Sequence, residues 1–245
     1  MSIKQFPGGI VTKNPTAPSG PYETSTAPGI WTLDQVANYK KQGIWPTAGN
    51  PAPGAAYGGG FFAGQISTAG NGIADYNLVV GPVASAQTTG VQWKIVNTTT
   101  AGTTSVIDGP ANSAAMNDVT HPAAQFCEGL TIGGFSDWYM PAKNELDVCY
   151  FNLKPTTLSN NTASGINANA VPARASNYTS GTPAQTTAVD FIISTGAQAF
   201  DSNNYWSSTE NSATSAWRQG FNNGYQFTPL KDESYRVRAV RRVAV

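Results

Sequence analysis

The sequence contains few charged residues and only one histidine. Charged side chains make up 11% of the 245 residues, and 14 Lys and Arg balance 14 Asp and Glu. A soluble chain usually has about a quarter of its residues charged. Zero net charge disfavours general nucleic-acid binding. His121 lacks a nearby Cys or His ligand pair, so we expect a structural residue at a helix start and predict neither a metal site nor a cofactor.

Cysteines and long apolar runs are also scarce. The two cysteines, Cys127 and Cys149, are too few for a disulfide scaffold, and both fall on apolar faces of predicted helices, where a thiol is inert. The first fifteen residues hold no apolar stretch of signal-peptide length, and no run approaches a membrane span. We therefore expect a protein made in a cytoplasm, without Sec export or membrane insertion.

The first fifty residues are predicted to form an extended arm with one helix. Residues 7–28 are rich in proline, which resists regular structure. Thr32 and Gln35 have the spacing of a capping box and predict a helix at about 33–42. Three large side chains on or beside this helix are candidate assembly contacts: Trp31, Tyr39 and Trp45. They pack either on the main domain or on a neighbouring subunit.

The rest of the chain is predicted to be a Gly/Pro-rich connector at 51–73, with at most one short strand, followed by a domain at 74–245. Strand patterns occur at 75–83, 91–97, 204–210 and 216–227, and at 235–245 with a break near Val240. Helix patterns occur at 120–130 and 143–153. Residues 153–203 fit a long insertion, in which Thr182 and Pro183 predict a further helix start.

Four motifs occur in one order: DWYMPAKNEL, YWSSTE, AW…F…G and VRAVRR. With them, residues 74–245 resemble the Lcl C-terminal domain family, which is similar in fold to C-type lectins and formylglycine-generating enzymes. The resemblance implies an α+β, C-type-lectin-like domain with two helices, a small twisted, mostly antiparallel sheet and many loops. The segment PGIWTLDQVANYKKQGIWP resembles tail-associated structural proteins of tailed bacteriophages. Together the two resemblances imply a virion protein with an anchoring arm and a lectin-like head.

The sequence favours an enzyme less than it favours a binding protein. A formylglycine-generating type of enzyme needs reactive thiols, and both cysteines are expected to be buried. Asp137, Glu145 and Asp147 could include a catalytic carboxylate pair, but pairing with the late arginines is the commoner role. The hydroxyls of residues 207–209 have no histidine nearby in sequence. Calcium binding, by analogy with lectins, would have only scattered Asx and Glu candidates: Asp201, Asn203, Asn204, Glu210 and Asn211.

A binding role fits better, because aromatic rings alternate with amide side chains near the C-terminus. We expect Trp206 and Trp217 in the core. Asn222, Asn223, Tyr225 and Gln226 are candidates for an exposed glycan-binding surface. Arg236 and Arg238, with Arg241 and Arg242, could meet anionic glycans or pair within the molecule.

The sequence therefore predicts a non-enzymatic fibre or tail-associated adhesin located in the virion. Its arm would bind other virion proteins, and by analogy with fibres it would form a homo-oligomer, a trimer. Its head would bind a host-surface glycan or another virion protein. The alternatives are a head-decoration or collar protein with a purely cementing role, and an enzyme of the formylglycine-generating type.

Overall fold

A computed structural model describes residues 3–6, 9–12, 17, 31–42 and 50–245 of the chain. It divides into two units, Met1–Pro51 and Ala52–Val245. In the first unit, strands β1 (Ile3–Phe6) and β2 (Gly9–Thr12) pair antiparallel, and helix α1 spans Leu33–Lys41. Trp45 and most of the proline-rich stretch at 7–28 lie outside the described residues.

The predicted capping box of α1 is confirmed. The Gln35 backbone N–H donates to Thr32 Oγ1 at 3.2 Å, and the Thr32 N–H donates to Gln35 Oε1 at 2.9 Å. These two bonds satisfy backbone donors that a helix start leaves free. The Trp31 ring meets the Tyr39 ring edge-on, with 5.5 Å between centroids. Both candidate assembly contacts that the structure describes are therefore held against each other beside this helix.

The second unit is α+β with two sheets, which confirms the predicted class. Its helices are α2 (Val83–Ala86), α3 (Gly109–Ala114), α4 (Pro122–Glu128) and α5 (Lys143–Leu153), with a 3-10 turn at Val189–Phe191. Its strands are β3 (Ala56–Tyr57), β4 (Gly60–Ile66), β5 (Tyr76–Val80), β6 (Gln87–Gln92), β7 (Ala170–Val171), β8 (Asn204–Glu210), β9 (Ala216–Gly220), β10 (Gln226–Phe227), β11 (Ser234–Arg238) and β12 (Val240–Ala244).

The sheets are mostly antiparallel. One has the order β10-β9-β8-β11-β6, in which only β11 and β8 pair in parallel. The other has the order β12-β5-β4, and both β3 and β7 pair with β4. The chain passes from one sheet to the other at Ala239, whose N–H donates to Ala86 O at 2.8 Å and whose O accepts from Gly81 N at 3.0 Å. The break predicted near Val240 is this passage.

Helix α5 lies in the core, with its predicted apolar face buried: Leu146, Cys149, Tyr150 and Leu153. The segment before it is buried too. Tyr139 exchanges two backbone hydrogen bonds with Val240, of 2.9 and 3.0 Å, which tie the GGFSDWYMPAKNEL stretch to β12. Residues 138–142 of this stretch are thus an interior support of the fold, whereas residues 133–137 are exposed.

The head was expected to contain two helices, and here the expectation is wrong. Helices α4 and α5 occupy the predicted positions, but the described residues also contain α2 and α3, of 4 and 6 residues. Segments this short span at most about two turns, so their sequences show no 3.6-residue periodicity. Local capping marks α3, because Asp108 accepts a hydrogen bond from the Ala111 N–H.

Two other elements differ from the prediction. The strand expected at 91–97 lies earlier, at Gln87–Gln92, because the Trp93 and Lys94 N–H groups turn away and both donate to Lys231 O. The helix expected from Thr182 is absent from this described segment, which has only the 3-10 turn. Its backbone bonds elsewhere: the Thr186 N–H donates to Lys154 O at 2.9 Å.

Residues 52–73, expected to be a connector, belong to the second unit. Strand β4 pairs with β5 along its length, and Phe62, Ala63 and Ile66 are buried. The glycines and alanines suggested a linker by composition. They instead allow close packing, since a Cβ built on Gly60 would lie 2.3 Å from Val80 O. The structure divides the chain after Pro51, ahead of this segment.

Candidate functional site

A row of side chains on one face of the first sheet combines exposed rings with a guanidinium group. We call it the ladder; its members are Tyr225, Phe227, Arg218, Tyr235 and Asn204. The rings of Tyr225 and Phe227 stack, with centroids 5.8 Å apart and planes inclined by 26°. They are 36% and 46% exposed. Large apolar groups this accessible, side by side, mark a candidate binding surface.

Arg218 continues the row from Phe227 to Tyr235. Its guanidinium carbon lies 5.6 Å from the Phe227 centroid and 5.5 Å from the Tyr235 centroid. Its Nη1 donates to Asn204 Oδ1 at 2.5 Å, whereas its Nε is buried without a hydrogen-bond partner among the described residues. Tyr235 packs edge-on against the buried Trp206, with 4.9 Å between centroids. The ladder is therefore anchored in the core.

Strand register explains why these groups line up. Phe227 lies opposite Arg218, and Arg218 lies opposite Trp206, so the three share one face of β10, β9 and β8. The turn before β10 needs glycine, because Gly224 has φ +76° and a Cβ there would lie 2.4 Å from the Tyr150 ring. Asn223 Oδ1 accepts the Tyr225 N–H at 3.1 Å and fixes the approach to the ladder.

A shallow cleft of about 300 Å³ adjoins the ladder. It shares Asn204 and Tyr235 with the ladder, and its full lining is Thr89, Gly90, Asn203, Asn204, Ser234, Tyr235 and Arg236. Arg236 pairs with Asp201, with 3.1 Å between Nη1 and Oδ2, and Gln87 Nε2 donates to the same oxygen at 3.0 Å. The ladder and the cleft together form one candidate binding surface.

Comparison with protein families matches residues 83–241 to the Lcl C-terminal domain, which is more than half of the chain. The chain belongs to the Lcl C-terminal domain family. A solved structure, a fimbrial protein from Bacteroides ovatus ATCC 8483, is similar at 16% identity and a TM-score of 0.40. The alignment covers 67% of this chain and 35% of that one, so the chain spans about a third of its length. A search of curated proteins found no match.

In this Lcl domain, some of the predicted glycan-binding residues lie on the candidate surface and others lie elsewhere. Tyr225 belongs to the ladder, and Arg236 lines the cleft. Asn222 and Asn223 are half-buried and shape the turn, where Asn222 O accepts the Thr156 hydroxyl at 2.8 Å. Gln226 is half-buried and donates through its N–H to Ser164 Oγ and through Nε2 to Gln219.

Arg238 does not belong to this surface, because only 1% of it is exposed. It lies just before the passage between the sheets, where Nε donates to Gly81 O at 2.9 Å and Nη1 to Gln198 O at 2.8 Å. The Phe200 ring lies 4.5 Å away. Strand alternation at 235–245 placed Arg238 with Arg236, but the burial of that face became visible only in the folded domain.

Arg218, Phe227 and Tyr235 were absent from the predicted site. The sequence did contain a signal for Phe227. Residues two apart in a strand share a face, and Phe227 follows Tyr225 by two. Arg218 and Tyr235 join through cross-strand register, which the local sequence does not show. Of the two tryptophans expected in the core, Trp206 is buried, whereas Trp217 is half-buried with Lys143 Nζ 4.6 Å from its ring.

The carboxylates considered for catalysis are all engaged in ion pairs, and Asp137 and Glu145 pair with arginines near the C-terminus as predicted. Asp137 binds Arg241 through two contacts of 2.7 and 2.9 Å, which lower the Asp137 pKa. Glu145, fully buried, accepts from Arg242 Nε at 2.9 Å and from the Tyr139 hydroxyl at 2.6 Å. Burial nevertheless raises the Glu145 pKa.

The third carboxylate, Asp147, is also fully buried in the domain. It accepts hydrogen bonds from Tyr178 and from Asn167, the latter at 2.6 Å, and pairs with Arg174. These partners come from the 153–203 insertion, so Asp147 attaches the insertion to α5. All three carboxylates thus have partners that hold the fold together.

Both thiols of the domain are free and buried, and they lie in different hydrophobic clusters. Burial raises the pKa of Cys127 and of Cys149, which disfavours the nucleophilic thiolate. His121 is the N-cap residue of α4, with Nε2 2.9 Å from Thr100 Oγ1. It contacts the Trp93 ring edge-on, which is a structural environment.

The part of the chain that the structure describes contains no group of three or more His, Cys, Asp or Glu side chains with the geometry to hold a metal ion. Every helix in the same part of the chain is too short or too polar to cross a membrane.

Proposed function

We propose that this protein is a bacteriophage virion structural protein, a fibre or tail-associated adhesin that binds a host-surface glycan through its Lcl C-terminal domain. In this proposal the domain has a C-type-lectin-like fold and the first unit attaches it to the particle. The observation that carries the binding role is the exposed stack of Tyr225 on Phe227, continued by Arg218 to Tyr235.

The side chains of the ladder are of the kinds that bind sugars. Sugar rings present C–H groups that pack on the electron-rich faces of aromatic rings, and their hydroxyls hydrogen-bond to planar polar side chains. Tyr225 and Phe227 offer ring surface, while Asn204 and Arg218 hold amide and guanidinium groups beside it. Because Tyr235 is packed on buried Trp206, this surface is formed before a ligand arrives, which limits the entropy lost on binding.

The side chains that a catalytic reaction would need are buried or already paired, which supports a binding role rather than catalysis. The two thiols are enclosed in the core, and Asp137, Glu145 and Asp147 are committed to arginine partners. The hydroxyls of Ser207, Ser208 and Thr209 are buried as well.

The attachment role rests on the first unit. Its hairpin and capped helix form a compact unit separate from the Lcl domain. The helix lies in the segment that resembles phage tail-associated proteins; Tyr39 is on the helix and Trp31 precedes it. We propose that these side chains contact other virion proteins or sister subunits, in a homo-oligomer that we take to be a trimer.

A glycan array tests the binding role. The purified protein should bind a defined set of glycans, and Tyr225→Ala with Phe227→Ala should weaken that binding by about tenfold or more. An aromatic contact contributes about 0.5–1.5 kcal/mol beyond its area, and 1.4 kcal/mol is tenfold. Phe135→Ala is the matched control, because Phe135 is 38% exposed but outside the ladder and the cleft. Equal binding by all three proteins would refute the ladder as the site.

Electron microscopy of labelled particles tests the virion role. We expect the label at a fibre or tail, and we expect deletion of residues 1–30 to abolish incorporation. Incorporation of the truncated protein would refute anchoring by the first unit. Label spread over the capsid, together with an array on which no glycan binds, would instead indicate a cementing protein.

A further inference from the structure

Arg236 is the charged residue of the cleft lining, and an acidic partner balances its charge. Arg236 is paired with Asp201 at 3.1 Å. Arg218 approaches the Tyr235 ring, whose hydroxyl donates to Glu233 Oε2 at 2.5 Å. The charge of Arg236 is therefore cancelled by Asp201, and Glu233 adds a carboxylate beside the Tyr235 ring that Arg218 approaches. A site that selects an acidic ligand needs uncompensated positive charge, which is lacking among these four groups.

The Arg236–Asp201 pair offers both kinds of hydrogen-bonding group that a hydroxyl requires. Arginine only donates and carboxylate only accepts, whereas a sugar hydroxyl does both. The Asp201 side chain is 42% exposed, and its contacts with Arg236 and Gln87 both use Oδ2. Asp201 adjoins the cleft through its pair with Arg236, which lines it, and Oδ1 is the oxygen left to accept from a ligand.

The other lining groups are neutral hydrogen-bonding side chains: Thr89, Asn203, Asn204 and Ser234. Asn204 uses Oδ1 to accept from Arg218, which leaves its amide N–H groups to donate. The cleft volume of about 300 Å³ lies at the lower end of ligand pockets, about 300–1,000 Å³. This size and lining suit one small polyhydroxylated ring.

We propose that the cleft binds one neutral sugar residue of the glycan, with Asp201 accepting from its hydroxyls and Arg236 donating to them. The ladder then carries the adjoining part of the same glycan. This inference rests on the proposed function and names its ligand class, a neutral rather than an anionic glycan. It also reverses the expectation that the arginines serve to attract acidic sugars.

An array that carries neutral hexose and N-acetylhexosamine oligosaccharides beside uronate-, sialate- and sulfate-bearing ones tests the inference. It is read at about 0.05 M and about 0.5 M NaCl, because salt screens charge attraction. Binding to neutral glycans at both concentrations supports the proposal. Binding only to acidic glycans, lost at high salt, overturns the neutral-sugar proposal but leaves glycan adhesion standing. An array without any bound glycan overturns both.

Asp201→Asn sharpens the test at the residue level. The variant keeps the shape and an acceptor for Gln87, but removes the charge. A hydrogen bond to a charged group contributes about 1.5–3 kcal/mol, so affinity for the neutral glycan should fall about tenfold or more. Because Arg236 loses its counter-charge, affinity for acidic glycans should rise.

Asp232→Asn is the matched control for Asp201→Asn, since it makes the same charge change at an exposed residue, whereas the ion pair with Arg236 is made by Asp201. Its glycan binding should equal that of the unmodified protein. Equal neutral-glycan affinity for the two variants, with unchanged melting temperatures, would overturn the role of Asp201.

Discussion

Lys231 and Glu210 form a buried ion pair in the Lcl domain, with 2.8 Å between Nζ and Oε1 and side chains 0% and 3% exposed. Lys231 Nζ also donates to Thr98 O and Ala213 O, each at 2.9 Å. Glu210 Oε2 accepts from the Thr100 N–H and the Thr103 hydroxyl, at 3.0 and 2.9 Å. The pair thus ties the end of β8 to two loops that are distant in sequence.

Lys231→Met should destabilise the domain strongly. Removing one partner leaves Glu210 buried with its charge uncompensated, and such losses cost about 3–5 kcal/mol in the free energy of unfolding. The double variant Lys231→Met with Glu210→Gln should cost less than the sum of the two single changes. Urea titration measures all three. The control Glu233→Gln, at an exposed residue, should change stability by less than about 0.5 kcal/mol. A cost below about 1 kcal/mol for Lys231→Met would contradict this account.

Asp118 should make stability depend on pH in acid. The Thr120 hydroxyl and then His121 hydrogen-bond to its carboxylate and lower the Asp118 pKa from 3.8 to about 2. A lowered folded-state pKa contributes stability that is present above pH 3.8 and lost as the pH falls through about 2. The difference in melting temperature between the unmodified protein and Asp118→Asn should therefore shrink between about pH 4 and 2.

Thr120→Val removes the largest contribution to that pKa and should shift the loss of stability to higher pH. Thermal melts across the same pH range measure this shift. A constant difference in melting temperature between the unmodified protein and Asp118→Asn would show that Asp118 contributes no such pH dependence.

The two cysteines should be dispensable for function. The double variant Cys127→Ala with Cys149→Ala should fold, lose about 1 kcal/mol per site through small cavities, and bind the same glycans as the unmodified protein. A thiol-reactive dye should label neither cysteine in the native state and both after denaturation, because burial raises their pKa and blocks access. Loss of function in a variant that still folds would favour an enzyme.

A substitution in the ladder should destabilise the domain much less than a substitution in the core beneath it. Phe227→Ala should change the free energy of unfolding by about 1 kcal/mol or less, because the ring is 46% exposed and contributes mainly a cation–π contact with Arg218. Trp206→Ala should cost about 3–5 kcal/mol, because Trp206 is fully buried. Denaturant titration compares the two. Similar costs would mean that Phe227 supports the fold rather than a binding surface.

Local patterns predicted a substantial part of this fold. Strand β8 coincides with NYWSSTE, helix α5 with KNELDVCYFNL, and the capping box of α1 forms with the expected partners. These elements depend on side-chain periodicity and on contacts three or four residues apart, which the sequence displays. The position of β6 was missed, since its end is set by Lys231, 138 residues after Trp93 in the chain.

The candidate site was predicted less completely, for a related reason. Tyr225 and Arg236 were identified from composition and alternation, and both lie on the candidate surface. Arg218 joins it because β9 lies between β8 and β10, and residues 52–73 join the core because β4 pairs with β5. Pairing between strands is a relation among distant segments, which local composition leaves open.

By itself, the sequence determined which segments form helices and strands over much of the Lcl domain, and that Asp137 and Glu145 would pair with arginines near the C-terminus. Tertiary structure alone decided which of those arginines meet solvent. Arg236 and Arg238 share one strand and one face by alternation, yet Arg236 lines a cleft while Arg238 is buried against Phe200. Alternation assigns side chains to a face, but only the packing of the two sheets around Ala239 determines where that face is covered.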